Sequence, residues 1–214
     1  MNPLLFIPSP RDIPEVKKTW HEIPYDKFIV KYTPEYEAYQ MGKKFFMEHE
    51  EYTHLIICPD DLEISKYGIE RLMYDAEVLG YETVSGISNI DESRPDLLAI
   101  YKTNCQYDLG PSVGFGDTIS RDMLPDKLFE VGHAGFCCQI ISRKLLEKVS
   151  LTGWETKGYF DWQFSVECHR LGVKIMCDPL VEGYHRRFQQ RVSDMKKQSM
   201  RDDNIGYTLW LKDR

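Results

Sequence analysis

The first ninety residues alternate between short apolar runs and stretches whose apolar positions repeat at helical spacing. "LLFI" (4–7) is halted by the proline-rich "PSPRDIP", and "KFIVKY" (27–32) alternates as strands do. Thr33 followed by Pro34 supplies a helix start, after which Ala38, Met41 and Phe45 fall on one face. "THLIIC" (53–58) has the pattern of a buried strand. Ser65 then caps a helix carrying Ile69, Leu72, Met73, Ala76 and Leu79 that stops at Gly80. With "ETVSGI" as the next strand the order is βαβαβαβ. That order predicts an α/β fold, Rossmann-like, with a mostly parallel central sheet flanked by helices.

The second half is less regular. Residues 103–128 crowd glycine and proline into "LGPSVGFG" without a sustained period, which predicts a long loop of the kind that often serves substrates. "FEV" and "GFCCQIIS" read as strands and "RKLLEKV" as a short helix. A further helix starts at Asp161, with Phe164, Cys168 and Leu171 on one face and Gly172 at its stop; "VKIMCDP" is the last strand. The polar tail from Arg186 to Arg214 is expected to include one helix.

Composition narrows the class. A chain of 214 residues, 42% hydrophobic, suits one domain with a substantial core. A net charge of −7 and a pI near 5.4 argue against a basic face for phosphate backbones, so no nucleic-acid partner is expected. No apolar run approaches the roughly 20 residues needed to cross a bilayer, and "MNPLLFIPSPRD" is too short and proline-broken for a signal peptide; a cytoplasmic location is the expectation. The six cysteines contain no CxxC, and five lie in apolar surroundings, as small buried hydrophobes do.

The candidate chemistry begins at "LIICPDDLEI" (55–64), where an apolar strand runs into Asp60, Asp61 and Glu63. Acids so close together repel one another, and a hard divalent cation with oxygen ligands makes such crowding favourable. In an open α/β sheet the carboxyl ends of parallel strands form the ligand edge, where these acids lie. A solvated turn leading into the next helix is the plainer reading of the same residues.

This stretch resembles the DxD-type motif of GT-A fold glycosyltransferases of the family 2 type, with Pro59 in place of the first acid. "VGHAGFCCQIISRKLLEKV" (131–149) resembles the family's strand with small residues running into a short, basic-led helix. "FDWQFSVECHRLGVKIMCDPLVEGYH" resembles its acidic motif, helix, glycine, strand, proline and final histidine, with Phe160 where the family usually has a glutamate. The resemblance implies a single GT-A domain over residues 1–187, with 188–214 a helical tail packed on it. It implies a hexosyltransferase-type enzyme that moves a sugar from a nucleoside diphosphate donor, UDP or GDP first among them, to a hydroxyl of a glycan, lipid or protein acceptor.

The site roles follow from the same resemblance. Asp61 and His185 hold Mn²⁺ or Mg²⁺, with Glu63 in reserve, and Asp60 contacts the ribose or a metal-bound water. Pro8, Ser9 and Arg11 meet the nucleotide, and Lys43 lies near it. His133, Gly135 and Trp162 face the sugar or acceptor, and Arg186 and Arg187 reach for diphosphate oxygens. Asp161 is the general base of an inverting reaction. Each assignment has a structural counterpart: Asp161 also suits a helix N-cap, His185 a surface turn, His133 a buried structural histidine, and the aromatics Trp154, Tyr159, Phe160 and Trp162 core packing. A catalytically silent nucleotide-sugar-binding protein is the reading that Pro59 and Phe160 favour. A nucleotidyltransferase is the other enzyme alternative, although "IPSPRDIP" lacks the glycines of its phosphate loop.

Overall fold

Strands that are apolar on both faces must be covered on both faces, and that requirement sets the architecture. The computed structural model describes residues 1–9, 13–31, 33–90, 94–102, 118–152, 160–186 and 206–210. In chain order these form β1 (Pro3–Ser9), α1 (Pro14–Glu22), β2 (Asp26–Lys31), α2 (Glu35–Glu48), β3 (His54–Ile57), β4 (Leu62–Ile64), α3 (Lys66–Glu77) and β5 (Thr83–Ser88). There follow β6 (Leu97–Tyr101), β7 (Thr118–Ser120), β8 (Phe129–Val131), β9 (His133–Ala134), β10 (Gln139–Ser142), α4 (Arg143–Leu146), α5 (Phe160–Arg170), β11 (Ile175–His185) and β12 (Gly206–Trp210).

The main sheet has nine strands in the order β12-β2-β1-β3-β10-β5-β11-β4, with β8 also paired to β11. Strands β1, β2, β3, β5 and β11 run the same way, whereas β10 runs against both its neighbours, and β4, β8 and β12 run antiparallel on β11 and β2. The sheet is therefore mixed, its parallel set divided by one reversed strand. Alternate residues feed two cores. Leu4, Phe6, Phe28, Val30, Leu55 and Ile57 pack with α2, α4 and α5, while Leu5, Ile7, Ile29, Ile56 and Cys58 pack with α1 and α3. A smaller sheet, β7-β6-β9, lies beside the carboxyl end of β5 through a bridge from Asn89 to Leu98.

Local chemistry explains most boundaries. Ser65 Oγ accepts from Gly68 N–H at 3.1 Å as α3 begins, and Gly80 follows its end at φ +76°. Gly172, at φ +67°, closes the turn after α5. Thr33 does not cap α2: its hydroxyl donates to Lys31 O at 2.9 Å, and Pro34 holds the N-cap position without a side-chain bond. Helix α1, which buries Val16 and Trp20, and strand β4 carry no periodic signal long enough to single out. β11 continues well beyond "VKIMCDP" to His185, its register on β5 shifting between Cys177 and Glu182. The expected loop over 103–128 lies outside the described residues from 103 to 117 and ends in β7 and a 3-10 turn, Arg121–Met123. The helix expected in the tail falls on residues outside those described, except that 206–210 is an edge strand on β2. No helix among the described residues is long and apolar enough to cross a membrane.

Two polar devices join the layers. The guanidinium of Arg143, leading α4, donates to Phe46 O (2.7 Å), His49 O (2.6 Å) and Tyr52 O (2.9 Å), and lies 4.3 Å from the centre of the Phe46 ring. It thereby adds charged donors to carbonyls at and just beyond the end of α2, two of which also accept backbone N–H bonds, Phe46 O from His49 and His49 O from Tyr52. Asp75 on α3 is buried against Asp178 of β11, which accepts from Arg71 Nε at 2.6 Å and Leu180 N at 2.9 Å. Two carboxyls in contact need a shared proton, and burial first, then Asp178, raises the Asp75 pKa to about 7.

Arg143→Ala is expected to lower stability by about 2–3 kcal/mol in urea denaturation, because several charge-assisted bonds to buried carbonyls vanish together. For Asp75 the folded pKa lies above the unfolded value of 3.8, so its stabilisation is full below that value and is lost as pH rises through about 7. Asp75→Asn, which replaces the shared proton with a permanent N–H donor, is expected to flatten that loss and to exceed wild-type stability above neutral pH, as read from melting temperatures at pH 5 to 8.

Candidate functional site

Five strands pointing the same way bring their carboxyl ends to one edge, and the polar side chains collect there. β3 leaves the sheet at Cys58, whose N–H still bonds Phe6 O on β1 (2.9 Å); a tight turn follows, closed by Leu62 N–H on Pro59 O at 3.1 Å. The turn buries both central acids, with Asp60 1% and Asp61 3% exposed. Burial of two adjacent carboxylates is costly unless cations or donors offset it, which a solvated turn would not require. Pro8 and Ser9, at the end of β1, lie beside this turn because β1 and β3 are parallel neighbours with Phe6 opposite Ile57. Arg11 and Arg187 fall outside the described residues.

β4 returns antiparallel to β11, with Gly183 opposite Ile64, Tyr184 opposite Glu63 and His185 opposite Leu62. This register carries His185 to Asp61, Nε2 to Oδ1 at 3.3 Å, while Arg186 N–H bonds Asp61 O at 2.7 Å. Gly183 permits the approach, since a Cβ there would stand 2.8 Å from Leu62 Cδ1. Asn89, just past β5, fixes the imidazole from behind. Its carbonyl lies 2.9 Å from His185 Nδ1, and its Oδ1 accepts from His185 N–H at 2.9 Å. A carbonyl can only accept, so Nδ1 carries a proton, and Nε2 is the ring atom turned toward the Asp61 carboxylate.

Two expected contacts are used otherwise. Glu63, held in reserve as a ligand, forms a bidentate pair with Arg186 at 3.0 and 3.2 Å, so neither the carboxylate nor the guanidinium is open for the roles expected of it. Lys43 donates to Val149 O, where it ties α2 to the segment after α4 rather than to the turn of acids.

The second group of residues surrounds the start of α5. Phe160 begins the helix and is buried, stacked on Tyr39 with centroids 4.7 Å apart, so the position where the glutamate was expected serves the core. Asp161 therefore lies inside the first turn rather than at the cap. Its Oδ1 accepts from Trp162 N–H at 2.8 Å, and its Oδ2 stands 3.8 Å from His133 Nε2. The Ser165 hydroxyl donates to Asp161 O at 2.8 Å and so accepts from His133 Nδ1, also at 2.8 Å. His133 is buried, and burial holds its pKa down to about 3, so it stays neutral. The Asp161 side chain keeps 34% of its surface open, but burial of its surroundings raises its pKa to about 6 against the opposing Trp162 N–H bond. Trp162, expected to offer a stacking face, is itself buried behind His133 with centroids 4.8 Å apart. Gly135 is approached by the protein, a Cβ there meeting Ala99 and Cys137 at 3.3 Å. Trp154 and Tyr159 lie outside the described residues.

The two groups share one neighbourhood. Charge from both Asp61 and Asp161 adds to burial in raising the Tyr39 phenol well above its ordinary value and in pushing the Cys137 thiol up to about 12. The sequence reading missed Asn89 and Ser165. Asn89 had a signal, a polar residue directly after a strand's carboxyl end; Ser165 had only its place one turn beyond Asp161.

With this geometry the molecule is a mixed α/β domain whose fold resembles that of a GT-A glycosyltransferase. A197 from STIV is similar over 86% of this chain and 85% of its own, with a TM-score of 0.62 and 16% identity. GalNAc-T7, solved with UDP, GalNAc and Mn²⁺, is similar over 86% of this chain with a TM-score of 0.59 and 9% identity. The chain spans 43% of that GalNAc-T7 chain. No protein-family profile matches the sequence, and no curated protein matches it.

The Asp161 carboxyl carbon is expected to titrate by ¹³C NMR with a midpoint near pH 6, and the signal to vanish in Asp161→Asn. A midpoint near the ordinary 3.8 would mean that the start of α5 is far wetter than its packing implies.

Proposed function

We propose that this chain is a glycosyltransferase that moves a sugar from a nucleoside diphosphate donor to an acceptor hydroxyl, with Mn²⁺ or Mg²⁺ bound at Asp61 and His185. One observation carries the reading: a ring nitrogen, His185 Nε2, and a carboxylate oxygen, Asp61 Oδ1, face each other at 3.3 Å on the carboxyl edge of the sheet. Such a pair is repulsive unless a cation or proton mediates. No cluster of three or more His, Cys, Asp or Glu forms a ready metal cage among the described residues. One carboxylate and one imidazole nevertheless suit a cation that completes its shell with diphosphate oxygens and water. When bound, the metal supplies positive charge against the diphosphate that leaves as the glycosidic bond breaks.

The chain's own residues supply the rest. Asp60 and the backbone of Pro8 and Ser9, with Arg11, hold the nucleotide beside the metal. Asp161 takes the proton of the acceptor hydroxyl as that oxygen attacks the anomeric carbon, and its raised pKa, near the working pH, favours base catalysis in an inverting reaction. Neutral His133, locked by Ser165, keeps a second acceptor nitrogen beside Asp161 without a competing positive charge, and Trp162 holds the imidazole ring. Residues 1–187 carry this machinery, and the tail returns to complete the sheet through β12. The UDP, GalNAc and Mn²⁺ bound by GalNAc-T7 support a nucleotide-sugar donor and the metal, and make UDP the first nucleotide to try.

The test is a thermal-shift screen of UDP, GDP, CDP and dTDP and their sugars, with and without Mn²⁺, followed by assay of nucleoside diphosphate release. One nucleotide is expected to stabilise the wild type only with metal, by about 2–3 kcal/mol at a hundredfold excess over Kd, and Asp61→Ala to lose that gain. Asp161→Asn is expected to keep donor binding and to lose turnover by about 10²–10⁴-fold. Stabilisation without diphosphate release in any variant would identify a silent binding protein, and no stabilisation by any nucleotide would end the transferase reading.

A further inference from the structure

We infer that Asn89 is a positioning residue of this site, which sets the tautomer and direction of the His185 imidazole so that Nε2 meets the metal or its ligands. The inference rests on the metal reading of Asp61 and His185 and deepens it. Asn89 holds His185 twice, its main-chain carbonyl against Nδ1 and its side-chain oxygen against the His185 N–H, each at 2.9 Å. The second bond fixes the backbone where β11 ends, and so fixes the Cα from which the ring projects. The first bond takes up Nδ1 and aims Nε2 at Asp61, 3.3 Å away. Metal-binding histidines are held in this manner, because the hydrogen bond on one ring nitrogen decides which nitrogen can ligate.

The rest of the carboxamide points the same way. Asn89 is 2% exposed, yet its Nδ2 has no acceptor among the described residues. Its Oδ1 is committed to a backbone donor, so turning the amide over would set N–H against N–H and the assignment is fixed. A buried amide with one end fully used and the other held without an acceptor is unusual for a residue that only packs. Beside Asp61 and His185, an oxygen of a bound diphosphate is the chemistry that would satisfy it. Asn89 itself is anchored at the carboxyl end of β5 by the bridge to Leu98, so the clamp is part of the sheet and not of a free loop.

The test reads the ring directly by long-range ¹H–¹⁵N NMR of the full chain at pH 8 without metal, and reads affinity separately by titration with Mn²⁺ and UDP. In the wild type His185 is expected as the Nδ1–H tautomer, with Nε2 bare. Asn89→Asp and Asn89→Ala both keep the main-chain carbonyl and so preserve that tautomer, but only Asn89→Asp keeps a side-chain oxygen for the His185 N–H. Asn89→Ala therefore weakens Mn²⁺·UDP binding about ten- to a hundredfold, as loss of a ligand's supporting hydrogen bond does. A wild-type His185 found as the Nε2–H tautomer would overturn the inference, and that measurement needs no variant to fold. An Asn89→Ala protein that binds Mn²⁺ and UDP as tightly as the wild type would overturn it as well. If the wild type shows the Nδ1–H tautomer but binds neither Mn²⁺ nor UDP, the positioning stands and the transferase reading falls.

Discussion

The antiparallel pairing of β4 with β11 is the contact on which the site depends. Only three residue pairs make it, yet it brings the turn of acids after β3 to the end of a strand more than a hundred residues later in the chain. Leu62 reaches across to Gly183, and the next pair up places Tyr184 against Glu63. The bidentate bond from Arg186 to Glu63 then locks the outer edge. A slip of one residue would turn each side chain of β4 to the opposite face and separate His185 from Asp61. Glu63 is thus spent on Arg186, whereas Asp60 and Asp61 are buried in the turn beside it.

The sheet explains why polar groups gather at this edge. Alternate residues of β1, β2 and β3 enter cores on both faces, so along these strands polar groups collect where the strands end. Five strands end together there. β10, reversed between β3 and β5, brings Cys137 and Cys138 to the same edge from the other direction, and Ser88 Oγ donates to Cys137 Sγ at 2.8 Å. Tyr39 and Cys137, both buried, lie within reach of the charge of both acidic groups. In such surroundings a nearby charge acts over a longer distance than in water. This is why both aspartates register on the same phenol and thiol.

Asp161 and His133 show how burial assigns protons. Both are desolvated, which disfavours charge on each: the aspartate moves up toward neutrality and the histidine moves down and stays neutral. Ser165 settles the histidine's tautomer through a chain of hydrogen bonds that runs from His133 on β9 to Asp161 O on α5. Phe160, by stacking on Tyr39, holds the first turn of that helix against the core. The residue that departs from the expected acidic pair is therefore the one that fixes the position of the acid that remains.

Much of this was legible in the sequence wherever a signal was local. Continuous apolar runs announced strands buried on both faces, Ser65 and Gly80 marked the limits of a helix, and the run of acids after "LIIC" marked a strand end of unusual charge. The spacing from Asp161 through Gly172 and Pro179 to His185 carried the resemblance to a glycosyltransferase, and the structure's fold agrees with it. Pairing across the sheet was not legible. That Glu63 binds Arg186, that Asn89 clamps His185 and that Lys43 ties down Val149 are consequences of register between segments far apart in the chain. Residue type and spacing state what each side chain is able to do. Only the tertiary structure decides which neighbour it meets, because hydrogen bonds and ion pairs depend on distances of a few ångströms that no local pattern encodes.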